Sequence, residues 1–142
     1  MSYAITDDLD FYGHYARHDA RFGDYVQDFG GVPTQLDGKR LEMSPKQLGG
    51  IGLVYAPERG WQASAVYNRV GSRFLNKRNT ALAPAYGTFD ASVGYRFERC
   101  ELRLAGRNLG DRRDPVAESE LGEGQYYRLR GRMVELGVDC SL

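Results

Sequence analysis

Cysteine is nearly missing from this chain. Its 142 residues contain two, Cys100 and Cys140, too few for a disulfide scaffold and in the wrong pattern for a zinc site. Net charge is absent as well, because 19 Lys and Arg balance 19 Asp and Glu. That balance leaves no basic footprint for nucleic acid, so nucleic acid is not an expected partner. Long apolar runs are also lacking: the longest is Leu53-Val54-Tyr55-Ala56, whereas a membrane-spanning helix needs about 20 residues. A transmembrane helix is thereby excluded. A transmembrane β-strand is not, since it needs only about 9–11 residues of alternating character. The first residues, Met1 to Asp8, contain neither a basic nor an apolar segment of the secretory kind, so no signal peptide is expected there. No Ser-His-Asp, paired-carboxylate or phosphate-cradling arrangement occurs at a credible spacing, which argues against an enzyme and implies no cofactor.

What is present suits strands and turns: ten Tyr, six Phe and 18 Gly. From Thr88 to Phe97, Phe89, Ala91, Val93, Tyr95 and Phe97 fall on one parity. Thr88, Asp90, Ser92, Gly94 and Arg96 fall on the other, which makes a strand with one apolar and one polar face. Trp61, Ala63, Ala65 and Tyr67 repeat the pattern against Gln62, Ser64 and Asn68, with Val66 as an exception. Leu102 and Leu104 oppose Glu101, Arg103 and Arg107, and Val134, Leu136, Val138, Cys140 and Leu142 oppose Glu135, Gly137, Asp139 and Ser141. Near the start, Leu9, Phe11 and Tyr15 oppose Asp10, His14 and His18, and Ile51, Leu53 and Tyr55 mark a further strand. The expected elements are a stub at 2–6 and strands at 9–22, 46–56, 61–73, 85–97, 100–109 and 128–142.

The connections are informative. Asp7-Asp8, Pro57 to Gly60 and Glu98-Arg99 read as tight turns, whereas 23–45, 74–84 and 110–127 read as long polar loops. Short and long connections alternate strictly. In an antiparallel meander this puts all short turns on one rim and all long loops on the other, the layout of outer-membrane barrels. The expected fold is therefore all-β: an antiparallel up-and-down meander of six to seven strands, part of a transmembrane β-barrel.

Three stretches then carry a resemblance. Gly106-Arg107-Asn108-Leu109-Gly110-Asp111-Arg112-Arg113 resembles an N-L-x-D-[KR] motif at the exit of a penultimate strand. Gly124 to Arg132, with Tyr126, Tyr127, Gly131 and Arg132, is similar to a YY-x-x-x-G-R entry into a final strand, and Tyr86 to Tyr95 matches the strand before them. In this order and spacing they resemble the C-terminal barrel segment of TonB-dependent outer-membrane receptors, importers of ferric siderophores and similar nutrients. Where that family usually carries a proline-containing stretch, Arg130 stands here, and Leu142 replaces the usual terminal aromatic residue.

The resemblance implies residence in the bacterial outer membrane. It also implies partners: outer-membrane lipid, the remainder of the barrel and its plug, a ferric siderophore or similar ligand, and the TonB energy-coupling complex through a further N-terminal part. Such transporters close at about 22 strands. The chain, residues 1–142, is thus expected to be a C-terminal portion, without plug or signal peptide, that does not transport alone. Lipid would face the apolar parity, with Arg69 above the bilayer core, and the lumen would see Asp90, Ser92, Arg96, Glu101, Arg103, Glu135 and Asp139. In the loops, Arg73, Lys77, Arg78, Asn79, Arg112, Arg113 and Arg128 are the candidate contacts for an anionic chelate, intermixed with Asp111, Asp114, Glu118, Glu120 and Glu123.

Cys100 and Cys140 share the outward parity on neighbouring strands near the short-turn rim. They read first as two small apolar residues facing lipid, with a cross-strand disulfide as the alternative in an oxidising compartment. Trp61, Tyr95 and Phe97 read as an interfacial girdle at the same rim. His14 and His18, about 13 Å apart on a strand, are too distant to share one metal ion, and no metal site is expected. The competing reading is a soluble calyx-like or β-sandwich small-ligand-binding protein. There the apolar parity would point inward.

Overall fold

The computed structural model describes residues 1–119 and 124–140. In chain order the strands are β1 (Ser2–Ala4), β2 (Leu9–Arg17), β3 (Val26–Phe29), β4 (Val32–Gln35), β5 (Gln47–Tyr55), β6 (Gly60–Val70) and β7 (Arg73–Phe74). They continue as β8 (Leu82–Ala83), β9 (Tyr86–Phe97), β10 (Cys100–Arg107), β11 (Pro115–Glu118), β12 (Tyr126–Arg128) and β13 (Met133–Cys140). Seven of them form one antiparallel sheet in the order β1-β2-β5-β6-β9-β10-β13, so the chain meanders without a crossover. The all-β meander read from parity is what the molecule has.

Two of the tight turns depend on left-handed backbone. Gly60 closes the β5–β6 turn at φ +91°, where glycine pays no steric penalty. Glu98 adopts φ +50° in the two-residue hairpin between Phe97 and Cys100, whose twist requires a positive φ.

The long connections differ from expectation. Each contains its own two-stranded ribbon: β3–β4, β7–β8 and β11–β12. These ribbons shorten the expected strands. β2 stops at Arg17 instead of 22, because Phe22 N–H donates to the Lys39 carbonyl and Leu41 N–H to that of Ala20. β6 ends at Val70 because Arg73 and Phe74 pair with Ala83 and Leu82. β10 ends at Arg107, one residue before Asn108 turns left-handed at φ +48°. The last strand starts at Met133 instead of 128, since Tyr126–Arg128 pairs back onto Pro115–Glu118. Ser141, Leu142, Glu120 and Glu123 lie outside the described residues.

Burial is inverted relative to a soluble sheet. Among the described residues the buried apolar side chains are Leu36, Leu75 and Ala83, all in the loops or their ribbons. The apolar face of the sheet stays open, with Phe89 at 43%, Val93 at 42% and Leu136 at 71% exposure. At its short-turn rim Trp61 meets Tyr95 edge-on at 5.2 Å, and Tyr95 stacks with Phe97 at 6.3 Å.

The other face is polar and cross-linked. Ser64 and Ser92, opposite in register, share a hydrogen bond of 2.7 Å. Arg96 donates through Nε and Nη2 to Glu101, and Arg107 lies 3.4 Å from Glu135. Tyr12 lies over Gly52, and His14 with Asn68 over Gly50, in spaces a Cβ would fill. His14 is thus taken up in the polar face, while His18 lies beyond the end of β2.

The two cysteines correct the reading as separate apolar residues. Register sets Cys100 directly opposite Cys140, with Cα atoms 4.1 Å apart, and the sulfurs are bonded. Antiparallel pairing brings opposed residues within disulfide reach, which the parity of each strand taken alone does not require.

Candidate functional site

The functional surface is built where the three long connections meet. Asn79, at φ +59°, accepts from the Arg40 N–H at 2.7 Å and donates to the Arg40 carbonyl at 2.8 Å. Lys39 Nζ donates to the Arg78 carbonyl, and Met43 N–H to that of Phe74. Through these bonds the first loop is fastened to the second. Arg73 fastens the second to the third: it is 4% exposed, donates from Nη2 to the Pro115 carbonyl at 2.9 Å and lies over the Tyr86 ring.

The seven candidate ligand contacts therefore divide. Lys77 and Arg78 line a hollow of about 410 Å³ with Gln27, Phe29, Glu42 and Glu118. Lys77 donates to Gln27 at 3.0 Å beside the Tyr25 ring, and Arg78 lies over Phe29. Arg112, Arg113 and Arg128 line a second, more open hollow of about 380 Å³ with Asp111 and Asp114. Arg112 forms a two-pronged bond to Asp114, both contacts at 2.9 Å, Arg113 pairs with Asp111, and Arg128 donates to the Arg113 carbonyl. Arg73 and Asn79 line neither hollow and act as fasteners.

Glu42 and Gln27 were missed from sequence, and Glu118 appeared only as a neighbouring charge. Glu42 Oε2 and Glu118 Oε1 are buried without a hydrogen-bond partner among the described residues. No local pattern could have found them, because residues from two different loops make that wall. Among the described residues, no three His, Cys, Asp or Glu side chains converge as a metal site would require.

The Asn108 motif forms a clip. Asn108 is 7% exposed, and its Nδ2 donates to the carbonyls of Arg112 at 2.8 Å and Arg130 at 2.7 Å. Its Oδ1 accepts from Arg112 N–H at 3.0 Å, while its own N–H donates to Asp90 at 2.6 Å. Leu109 N–H donates to the Phe89 carbonyl, and its side chain lies over Gly106. Asp111, at φ +50°, accepts from Arg132 N–H at 2.8 Å and from Arg113. The Arg132 N–H, opposed by burial and aided by Arg113, holds the Asp111 carboxyl below its ordinary value of 3.8. Gly131 is packed against Arg113 and Asp111, so no Cβ fits there without a shift. Tyr126 and Tyr127 pair in the ribbon with Glu118 and Ala117. The motif residues thus tie the exit of β10 to β9 and to the entry of β13.

Solved structures share this architecture. The siderophore receptor PiuA from Acinetobacter baumannii superposes with a TM-score of 0.84 at 21% identity, over 98% of this chain and 20% of that one. The ferric yersiniabactin uptake receptor FyuA from Yersinia pestis gives 0.76 at 19% identity, over 98% and 22%. The copper transporter OprC gives 0.68 at 18% identity, over 99% and 22%. The chain thus spans about a fifth of the length of these proteins, and at such identities the likeness is one of fold. A family model described as TonB dependent receptor-like, beta-barrel, matches residues 1–109. Sheet order, exposed apolar face and family match agree: the chain belongs to the TonB-dependent receptor-like β-barrel family.

Proposed function

We propose that the chain forms wall and outer loops at the C-terminal end of a TonB-dependent outer-membrane importer, whose cargo is a ferric siderophore or similar metal chelate. In this role it performs no covalent chemistry. Lipid covers the apolar face, the polar face lines the lumen beside a plug, and energy coupling through TonB uses a part of the receptor outside this chain. The observation that carries the reading is the inverted burial: Val93, Leu104 and Leu136 are exposed, while Ser64, Ser92, Arg96 and Glu101 bond to one another on the opposite face. The cargo class is supported by neighbours described as a siderophore receptor, a ferric yersiniabactin receptor and a copper transporter.

A soluble calyx would turn the apolar parity inward, and the exposed apolar face does not support it. Spin labels at Ala91 and Val93, in the chain refolded into micelles, test the assignment. They are expected to respond to lipid-soluble quenchers, and a label at Ser92 to water-soluble ones. Shielding of Ala91 and Val93 from every quencher would sink the membrane-wall reading.

A further inference from the structure

Register in the last two strands of the sheet sets Glu101 directly opposite Asp139, one residue in from the Cys100–Cys140 bond. Like charges in opposed positions push a strand pair apart. The Cys100 and Cys140 Cα atoms, 4.1 Å apart, have the close spacing of a non-hydrogen-bonded pair, so Glu101 and Asp139 exchange the last pair of ladder bonds. Glu101 is taken up by Arg96 at 2.9 Å on the side of β9. Asp139 has no cationic partner among the described residues, and Arg103 has no carboxylate one, whereas Arg96 and Arg107 on the same face do. Arg103 and Asp139 line one hollow of about 580 Å³ at the short-turn rim of the polar face. They are diagonal neighbours, a relation that puts Cα atoms about 7–8 Å apart and within reach of a long side chain. The opposite charges stand close, yet the pair is not made.

The strand that carries Asp139 is weakly held at this end. Among the described residues β13 pairs on one side only, with β10. Gly137, opposite Arg103, has open space where a Cβ would lie, so no side chain anchors the strand at that level and it bends most easily there. Above Gly137 the strand is tied by Glu135 to Arg107 at 3.4 Å. Below it, the covalent tie is the disulfide. Cys140 is exposed and Cys100 half-buried, so the Cys140 sulfur is the one open to exchange.

We propose that the Cys100–Cys140 disulfide is a redox-operated clasp on the last strand. Oxidised, it holds Asp139 opposite Glu101. Reduced by a dithiol, it lets residues 138–140 swing about Gly137 until Asp139 pairs with Arg103, which opens the wall of the hollow. In the exchange, a thiolate of the dithiol attacks Cys140 Sγ, the sulfur–sulfur bond breaks, and Cys100 leaves as a thiolate that takes up a proton. The second thiol, as its thiolate, then displaces Cys140, which takes up the second proton. The protein gains two electrons and two protons, and the dithiol ends as a disulfide. The device stands on register and charge and does not depend on the membrane-wall reading.

The test equilibrates the full chain, refolded in nonionic micelles, with mixtures of reduced and oxidised dithiothreitol, and mass spectrometry after thiol alkylation reads the fraction reduced. R103Q removes the pair formed in the reduced state and is expected to raise the reduced-to-oxidised dithiothreitol ratio at half-reduction about threefold. D139N removes that pair and the Glu101 repulsion together, so it raises the ratio about tenfold. D10N, which removes the same charge from β2, leaves it unchanged. Amide exchange supplies the structural readout: on reduction the Asp139 N–H exchanges about tenfold faster, as a released strand end does, while that of Glu135 keeps its rate. The proposal is overturned if D139N keeps the wild-type ratio, or if D10N shifts it as much. It is also overturned if Asp139 exchanges equally slowly in both states, or if reduction speeds exchange at Glu135 as much as at Asp139, which would mark loss of the whole strand.

Discussion

Replacing Asn108 by alanine removes three side-chain hydrogen bonds from a residue that is 7% exposed: two donated to the Arg112 and Arg130 carbonyls and one accepted from Arg112 N–H. A net worth of about 1 kcal/mol for each bond gives about 3 kcal/mol. Asparagine and alanine both carry a Cβ at φ +48°, so a backbone strain of about 1 kcal/mol is common to the wild type and N108A. The expected destabilisation for N108A is therefore about 3 kcal/mol. N108G loses the same bonds but is relieved of that strain, so it should lose about 2 kcal/mol. The assay is equilibrium urea unfolding of the chain in nonionic micelles, followed by far-UV circular dichroism and by Trp61 fluorescence. Amide exchange at Arg112 gives a local readout, because its N–H loses its acceptor in both variants. The reasoning fails if N108A stays within about 0.5 kcal/mol of wild type, the range of ordinary surface substitutions. It fails as well if glycine is no better tolerated than alanine.

The disulfide spans a sequence separation of 40, for which the chain-entropy relation gives about 4 kcal/mol. The oxidised chain is expected to be lighter by two hydrogens than its reduced form on mass spectrometry, and C100S with C140S should lower the urea midpoint. Two free thiols after oxidative refolding would contradict the bond. Asp111 supplies a pH dependence whose sign follows from its lowered folded value. Its stabilisation is fully present above the ordinary carboxyl value of 3.8 and is lost as pH falls through the lower folded one. D111N should flatten that acid limb of an unfolding-against-pH profile, and an unchanged limb would remove Asp111 as its source.

Much of the sheet was legible because strand parity is a local property. Phe89 to Phe97 displays its two faces within ten residues, and alternating connection lengths fix the rims without any knowledge of contacts. The candidate site was less legible. Arg73 reads as one more loop cation until its bond to Pro115, 42 residues away, removes it from solvent. Lys77 finds Gln27 across 50 residues, and Asn79 finds Arg40 across 39. Such pairings depend on how three loops pack, and no period in the chain encodes them.

The sequence by itself determined the strand faces, the meander order and the two rims, because side-chain alternation and turn chemistry act over a few residues. Only the tertiary structure decided that each long loop folds back as a ribbon, that Cys100 meets Cys140, and that the candidate cations bond partners in their own or a neighbouring loop. Register and loop packing join residues distant in the chain, and those long-range contacts settle which polar groups remain free.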